Sequence, residues 1–161
     1  MCVCVRVRDW NRVVFFNIYS FCRTTQPTNF DFTVHIKCLL NDTEVGFYAS
    51  PGYKRMMEEE NVKVTMCNLS KPGAKGIALE ALRDAHNNNE KIAVHCSGGE
   101  GRTGVILGLW VVYSSETSGQ MMPISPENAS EFVLEEAKKF NAVRKPNVHK
   151  IKTLIEKGYL P

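Results

Sequence analysis

Residues 91–104, KIAVHCSGGEGRTG, join a short apolar run to a glycine-rich loop that leads straight into VILGLWVVY. A short apolar run bounded by turn residues reads as a buried strand, and the apolar stretch behind the loop reads as a helix covered on all sides. Such a strand needs neighbours on both edges, and such a helix needs cover. The unit therefore asks for a central sheet with helices packed on it.

The rest of the chain supplies those partners. FTVHIKCLL (32–40) reads as a strand closed by the turn-forming pair Asn41-Asp42, and VKVTMCNL (62–69) as another, followed by a loop that Lys71-Pro72-Gly73 forces. Ser50-Pro51 predicts a helix over 51–61, and GIALEALRDAHNNN predicts one over 76–89. A third helix is expected from Arg102 to Ser115, a fourth from Ser125-Pro126-Glu127 through Phe140, and a last from Asn147 to Gly158. Strands alternating with helices imply parallel crossovers, hence an α/β fold with a central, mostly parallel sheet flanked by helices. The loop after IAVHC then lies at the carboxyl end of a central strand, where open α/β sheets bind ligands. CVCVRVR, near residue 1, alternates like an edge strand or a frayed arm.

Five residues separate Cys96 from Arg102. Gly98, Gly99 and Gly101 free the backbone to curl so that successive N–H groups converge, and a helix starting near Arg102 adds the positive end of its dipole. That is an anion cradle, with Ser97, Gly98, Gly99, Glu100, Gly101 and Arg102 as its phosphate-binding residues. The same field favours the thiolate of Cys96, the nucleophilic form of a cysteine. Arg102 offers a planar fork for two phosphoryl oxygens, Thr103 a hydroxyl for the sulfur, and His95 support from behind the loop.

Composition sets the limits. A net charge of +3, spread along 161 residues, gives no clustered basic face for nucleic acid, and no apolar stretch approaches a membrane span. The six cysteines lack zinc-ligand spacing, so no metal or other cofactor is expected. Cys38 and Cys67 lie in strand-like runs as buried free thiols, with a regulatory disulfide to Cys96 as the alternative. No secretory leader is evident, which points to the cytoplasm or nucleus.

HCSGGEGRT resembles the signature loop H-C-x5-R-[ST] of the cysteine-based protein tyrosine phosphatase superfamily. The order of CLLND, SPGY, the strand to Leu69, the helix before IAVHC and SPENASEFV is similar to that of the small dual-specificity phosphatases, and to the kinase-associated phosphatase branch among them. The resemblance runs from about Val34 to Leu160. It implies a phosphatase-like domain over 34–161, with 1–33 an irregular N-terminal segment, frayed or foreign to the domain. It also implies a monomeric, metal-free hydrolase that acts on phosphoproteins through a cysteinyl-phosphate, with Cys96, Arg102, Thr103 and His95 as catalytic residues.

In one respect the chain departs from that pattern. The family carries an aspartate, as general acid, in the loop that here reads CNLSKPGAKG (67–76), and this loop holds no carboxylate. Ser70 stands at the expected position. Glu100 and Asp42 are the weak substitutes, while Asp84 and His149 read as helix surface. Without an acid, turnover should favour aryl phosphates, because a phenol, with pKa ~10, leaves more readily than an alkoxide. The alternative is a pseudophosphatase that binds phosphoproteins with little turnover. Glu100 also argues against phosphoinositides and RNA 5′-phosphates, since its charge repels a polyanion.

Overall fold

The computed structural model describes residues 3–6, 34–48, 63–88, 91–97, 100–117, 124–139 and 145–158. Four strands form one sheet in the order β1 (Val3–Arg6), β4 (Lys91–His95), β2 (Val34–Cys38), β3 (Lys63–Met66). β2 runs parallel to both β3 and β4, and β1 lies antiparallel against the outer side of β4. The mostly parallel sheet and the interior place of the cysteine-bearing strand match the sequence expectation.

Five helices surround it among the described residues: α1 (Asp42–Tyr48), α2 (Ala74–Asn87), α3 (Gly101–Thr117), α4 (Pro126–Lys139) and α5 (Val148–Glu156). α1 starts in a reciprocal cap. The Glu44 N–H donates to Asn41 Oδ1 at 2.8 Å and the Asn41 N–H donates to Glu44 Oε2 at 3.0 Å. Asn41-Asp42 is therefore the opening of a helix and not merely a turn. The helix expected over 51–61 and the boundary expected at residue 33 lie outside the described residues.

α3 is the hub. Val105 to Ser115 are buried throughout, and Ile106 and Leu109 pack in one cluster with Leu39, Leu79, Leu82, Ile92, Val94 and Ile151. Apolar residues on every face of the helix call for cover on every face, which the sheet and α2, α4 and α5 provide. Two glycines bring α5 close. A Cβ on Gly108 would stand 2.5 Å from Ile151 Cδ1, and one on Gly104 would stand 2.9 Å from the backbone nitrogen of Pro146. No described helix is long and apolar enough to cross a membrane.

Register aligns the business end of the sheet. Cys38 pairs with Met66 on one side and His95 on the other, so the next residues, Leu39, Cys67 and Cys96, share one rim. Leu39 N donates to His95 O and Cys67 N to Cys38 O, both at 2.7 Å, which carries the pairing one step past the strands.

Candidate active site

Cys96 sits at that rim, 5% exposed, immediately before the loop that enters α3. Beneath it the fully buried Thr103 donates its hydroxyl to Cys96 Sγ at 3.3 Å. Thr103 comes within the first turn of α3, so the helix that aims its N-terminus at the loop also delivers the sulfur's hydrogen-bond donor. Gly98 and Gly99 lie outside the described residues; Ser97, Glu100 and Gly101 line the same cavity as Cys96 and Arg102.

Arg102 is held from several sides. Its two terminal nitrogens donate to the two carboxylate oxygens of Glu44 at 2.6 Å each. Nη1 also reaches Leu39 O at 3.3 Å, and Nη2 reaches Ser97 Oγ at 2.8 Å. The guanidinium holds the Glu44 carboxyl at about 2, helped by the Asn41 backbone, and Glu44 in turn pushes Arg102 above its usual value. Glu44 was not among the residues singled out from the sequence. Its spacing from Asn41 is a helix-start signal, but nothing local points from it to Arg102.

His95 is buried behind the loop, and burial pulls it down to about 4, so the imidazole is neutral there. Cys38, Cys67 and Cys96 are buried, and burial pushes the Cys38 thiol up to about 11.

The expected substitutes for the missing acid separate clearly. Ser70 is exposed and lines the cavity. Asp42 pairs with Lys71 at 3.4 Å and is absent from the lining, and Asp84 is an exposed helix residue beside Arg83. Glu100 does line it, but its carboxylate meets Lys145 Nζ at 2.7 Å and its carbonyl accepts from Lys145 N at 3.2 Å. That pairing offsets the charge, which weakens the expectation that Glu100 repels polyanions. His149 is exposed on its helix, as read from the sequence, and it also lines the cavity that holds Cys96.

The cavity measures about 950 Å³, at the upper end of small-molecule sites and far beyond what one phosphate fills. Among the described residues no cluster of histidine, cysteine and carboxylate side chains is arranged to hold a metal ion.

Cys96 is thus a buried cysteine on the rim of a mostly parallel sheet, bonded by a helix threonine and sharing its cavity with an arginine six residues on. The family described as "Polymorphic toxin system, DSP-PTPase phosphatase" matches residues 29–116, more than half of the chain. The chain belongs to this family. The dual-specificity resemblance read from HCSGGEGRT thus holds. The crystal structure of kinase associated phosphatase, with its catalytic-site cysteine substituted by serine, superposes with a TM-score of 0.62 at 17% identity, over 79% of this chain and 70% of that one. At that identity the likeness is one of fold. No curated protein matches. The sequence of this DSP-PTPase member thus reads correctly for its fold and its family.

Proposed function

We propose that this phosphatase hydrolyses phosphomonoesters of proteins, phosphotyrosine foremost, through a cysteinyl-phosphate on Cys96. The observation that carries the reading is the Thr103 hydroxyl on Cys96 Sγ at 3.3 Å, in a cavity that Arg102 also lines. The hydroxyl steadies a thiolate that must be both nucleophile and leaving group. A phosphoryl group entering the loop takes the place of the Ser97 hydroxyl on Arg102 Nη2, while Glu44 keeps the fork in its plane. The sulfur attacks phosphorus, the ester oxygen departs, and water then frees phosphate from the sulfur. His95, neutral and buried, supports the loop and does not exchange protons with substrate. The protein acts as a monomer and without a metal.

The loop over 67–76 brings no carboxylate to the leaving oxygen, so aryl esters turn over faster than phosphoserine or phosphothreonine. That same absence favours a second reading, a module that binds phosphoproteins without turning them over. Hydrolysis of a nitrophenyl phosphate, whose leaving group needs no proton, decides between them. Turnover that Cys96→Ser abolishes supports the enzyme; phosphopeptide binding with no turnover of either ester supports the binding module.

A further inference from the structure

We infer that His149 is the general acid and base of this active site, in place of the carboxylate missing from residues 67–76. The inference rests on the proposed reaction at Cys96 and starts from the cavity itself. Among the described residues that line it, few side chains can exchange a proton near neutrality. Ser70 has only a hydroxyl. Lys75, Lys145 and Lys150 bring point charges suited to holding phosphate. Glu100 is the one carboxylate, and Lys145 occupies it at 2.7 Å. His149 is left, and imidazole is the side chain best matched to proton transfer at physiological pH.

A second, independent observation fixes where the residue stands in the fold. His149 is the second residue of α5, whose start is set by Asn147: its side chain accepts from Lys150 N at 2.9 Å. The segment ahead of α5 is tied to the phosphate loop by Lys145 N on Glu100 O at 3.2 Å and seated on Gly104, where even a methyl group would meet Pro146 at 2.9 Å. One turn further, Ile151 fills the space left by Gly108. Two glycines one turn apart on α3 thus hold the first turn of α5 beside the loop that carries Cys96. Loss of side-chain bulk on a core helix is costly unless a neighbour moves in; here the neighbour is the segment bearing His149.

The chemistry balances without a co-reactant. As Cys96 Sγ bonds to phosphorus, the P–O ester bond breaks and its electron pair goes to the leaving oxygen, which takes the proton of the imidazolium. The products are a free alcohol, neutral His149 and the cysteinyl-phosphate. Water then attacks phosphorus and gives a proton to the neutral imidazole, the S–P bond breaks, and thiolate, imidazolium and phosphate result.

The test compares wild type, His149→Gln, His149→Ala and Cys96→Ser on a phosphotyrosine peptide and on 2,4-dinitrophenyl phosphate. The account expects His149→Gln to lower phosphotyrosine turnover about 100-fold. The loss on the dinitrophenyl ester shrinks to a few-fold, and added imidazole returns part of the phosphotyrosine activity to His149→Ala. Equal losses on both esters, or no loss on phosphotyrosine, overturn the role of His149 alone. Persistence of both activities in Cys96→Ser, or wild-type inactivity on both esters, overturns the reaction at Cys96 and this inference with it. His149 is exposed, so both substitutions leave the fold intact, which a thermal melt checks.

Discussion

Glu44 and Arg102 meet fork to fork, each terminal guanidinium nitrogen 2.6 Å from its own carboxylate oxygen. Glu44 belongs to α1, which follows β2, and Arg102 to α3, which follows the neighbouring β4, so the pair ties two adjacent strand ends together. Its removal tests whether the clamp must be held. Glu44→Gln keeps the shape and one hydrogen bond but loses the charge, and kcat/KM should fall about 10- to 100-fold, the worth of a hydrogen bond to a charged group. Steady-state kinetics on an aryl phosphate check it; an unchanged kcat/KM would show that Arg102 needs no such anchor.

The same pair sets an acid limit. Glu44 is lowered from 4.5 to about 2 in the folded protein. A depressed carboxylate contributes stability that is fully present above its unfolded value and lost as pH falls toward the folded one. Stability should drop between about 4.5 and about 2. Denaturant melts across that range should show the slope, reduced in Glu44→Gln.

His95 acts over a higher window. Burial lowers it from 6.5 to about 4, so between those values the unfolded chain binds the proton and the folded chain does not. Stability therefore falls as pH drops from 6.5 toward 4 and levels off below the folded value. Melts of wild type and His95→Gln from neutral to mildly acidic pH should differ in slope over that span.

Much of this was legible because the decisive features are local. The strand, glycine loop and apolar helix around Cys96 are contiguous, and the burial of the helix follows from composition alone. The start of α5 at Asn147 is likewise a local signal, confirmed by its side-chain bond to Lys150 N. Glu44 escaped because its partner lies 58 residues away, and only the register of β2 against β4 brings them together. His149 is the exposed helix residue that the sequence suggests. Its place on the cavity wall shows only once Gly104 and Gly108 draw the start of α5 onto α3.

Thr103→Val should slow both the attack by Cys96 and its release. It removes the hydroxyl that reaches Sγ at 3.3 Å while keeping the volume of a fully buried side chain. A loss of about tenfold or more in kcat is expected, given the worth of a hydrogen bond to a charged acceptor, with Thr103→Ser retaining most activity. Equal activity in the valine and serine variants would remove Thr103 from the mechanism.

Gly104→Ala tests the seating of the segment before α5. The new methyl would meet the backbone of Pro146 at 2.9 Å, which cannot yield as a side-chain tip does, whereas at Gly108 it meets only the flexible end of Ile151. Gly104→Ala should cost about 1–3 kcal/mol of stability, as overpacking does. Phosphotyrosine turnover should fall further than in Gly108→Ala, because Lys145 and His149 shift with the segment. Paired melts and kinetics of the two variants check the order.

The central claim is that phosphate passes through the sulfur of Cys96. Acid-quenching the enzyme during turnover of a radiolabelled phosphotyrosine peptide, then mapping the label, measures this directly. The account predicts phosphate on Cys96, absent from Cys96→Ser. Continued turnover with no label on Cys96, or with the label on another residue, would contradict it.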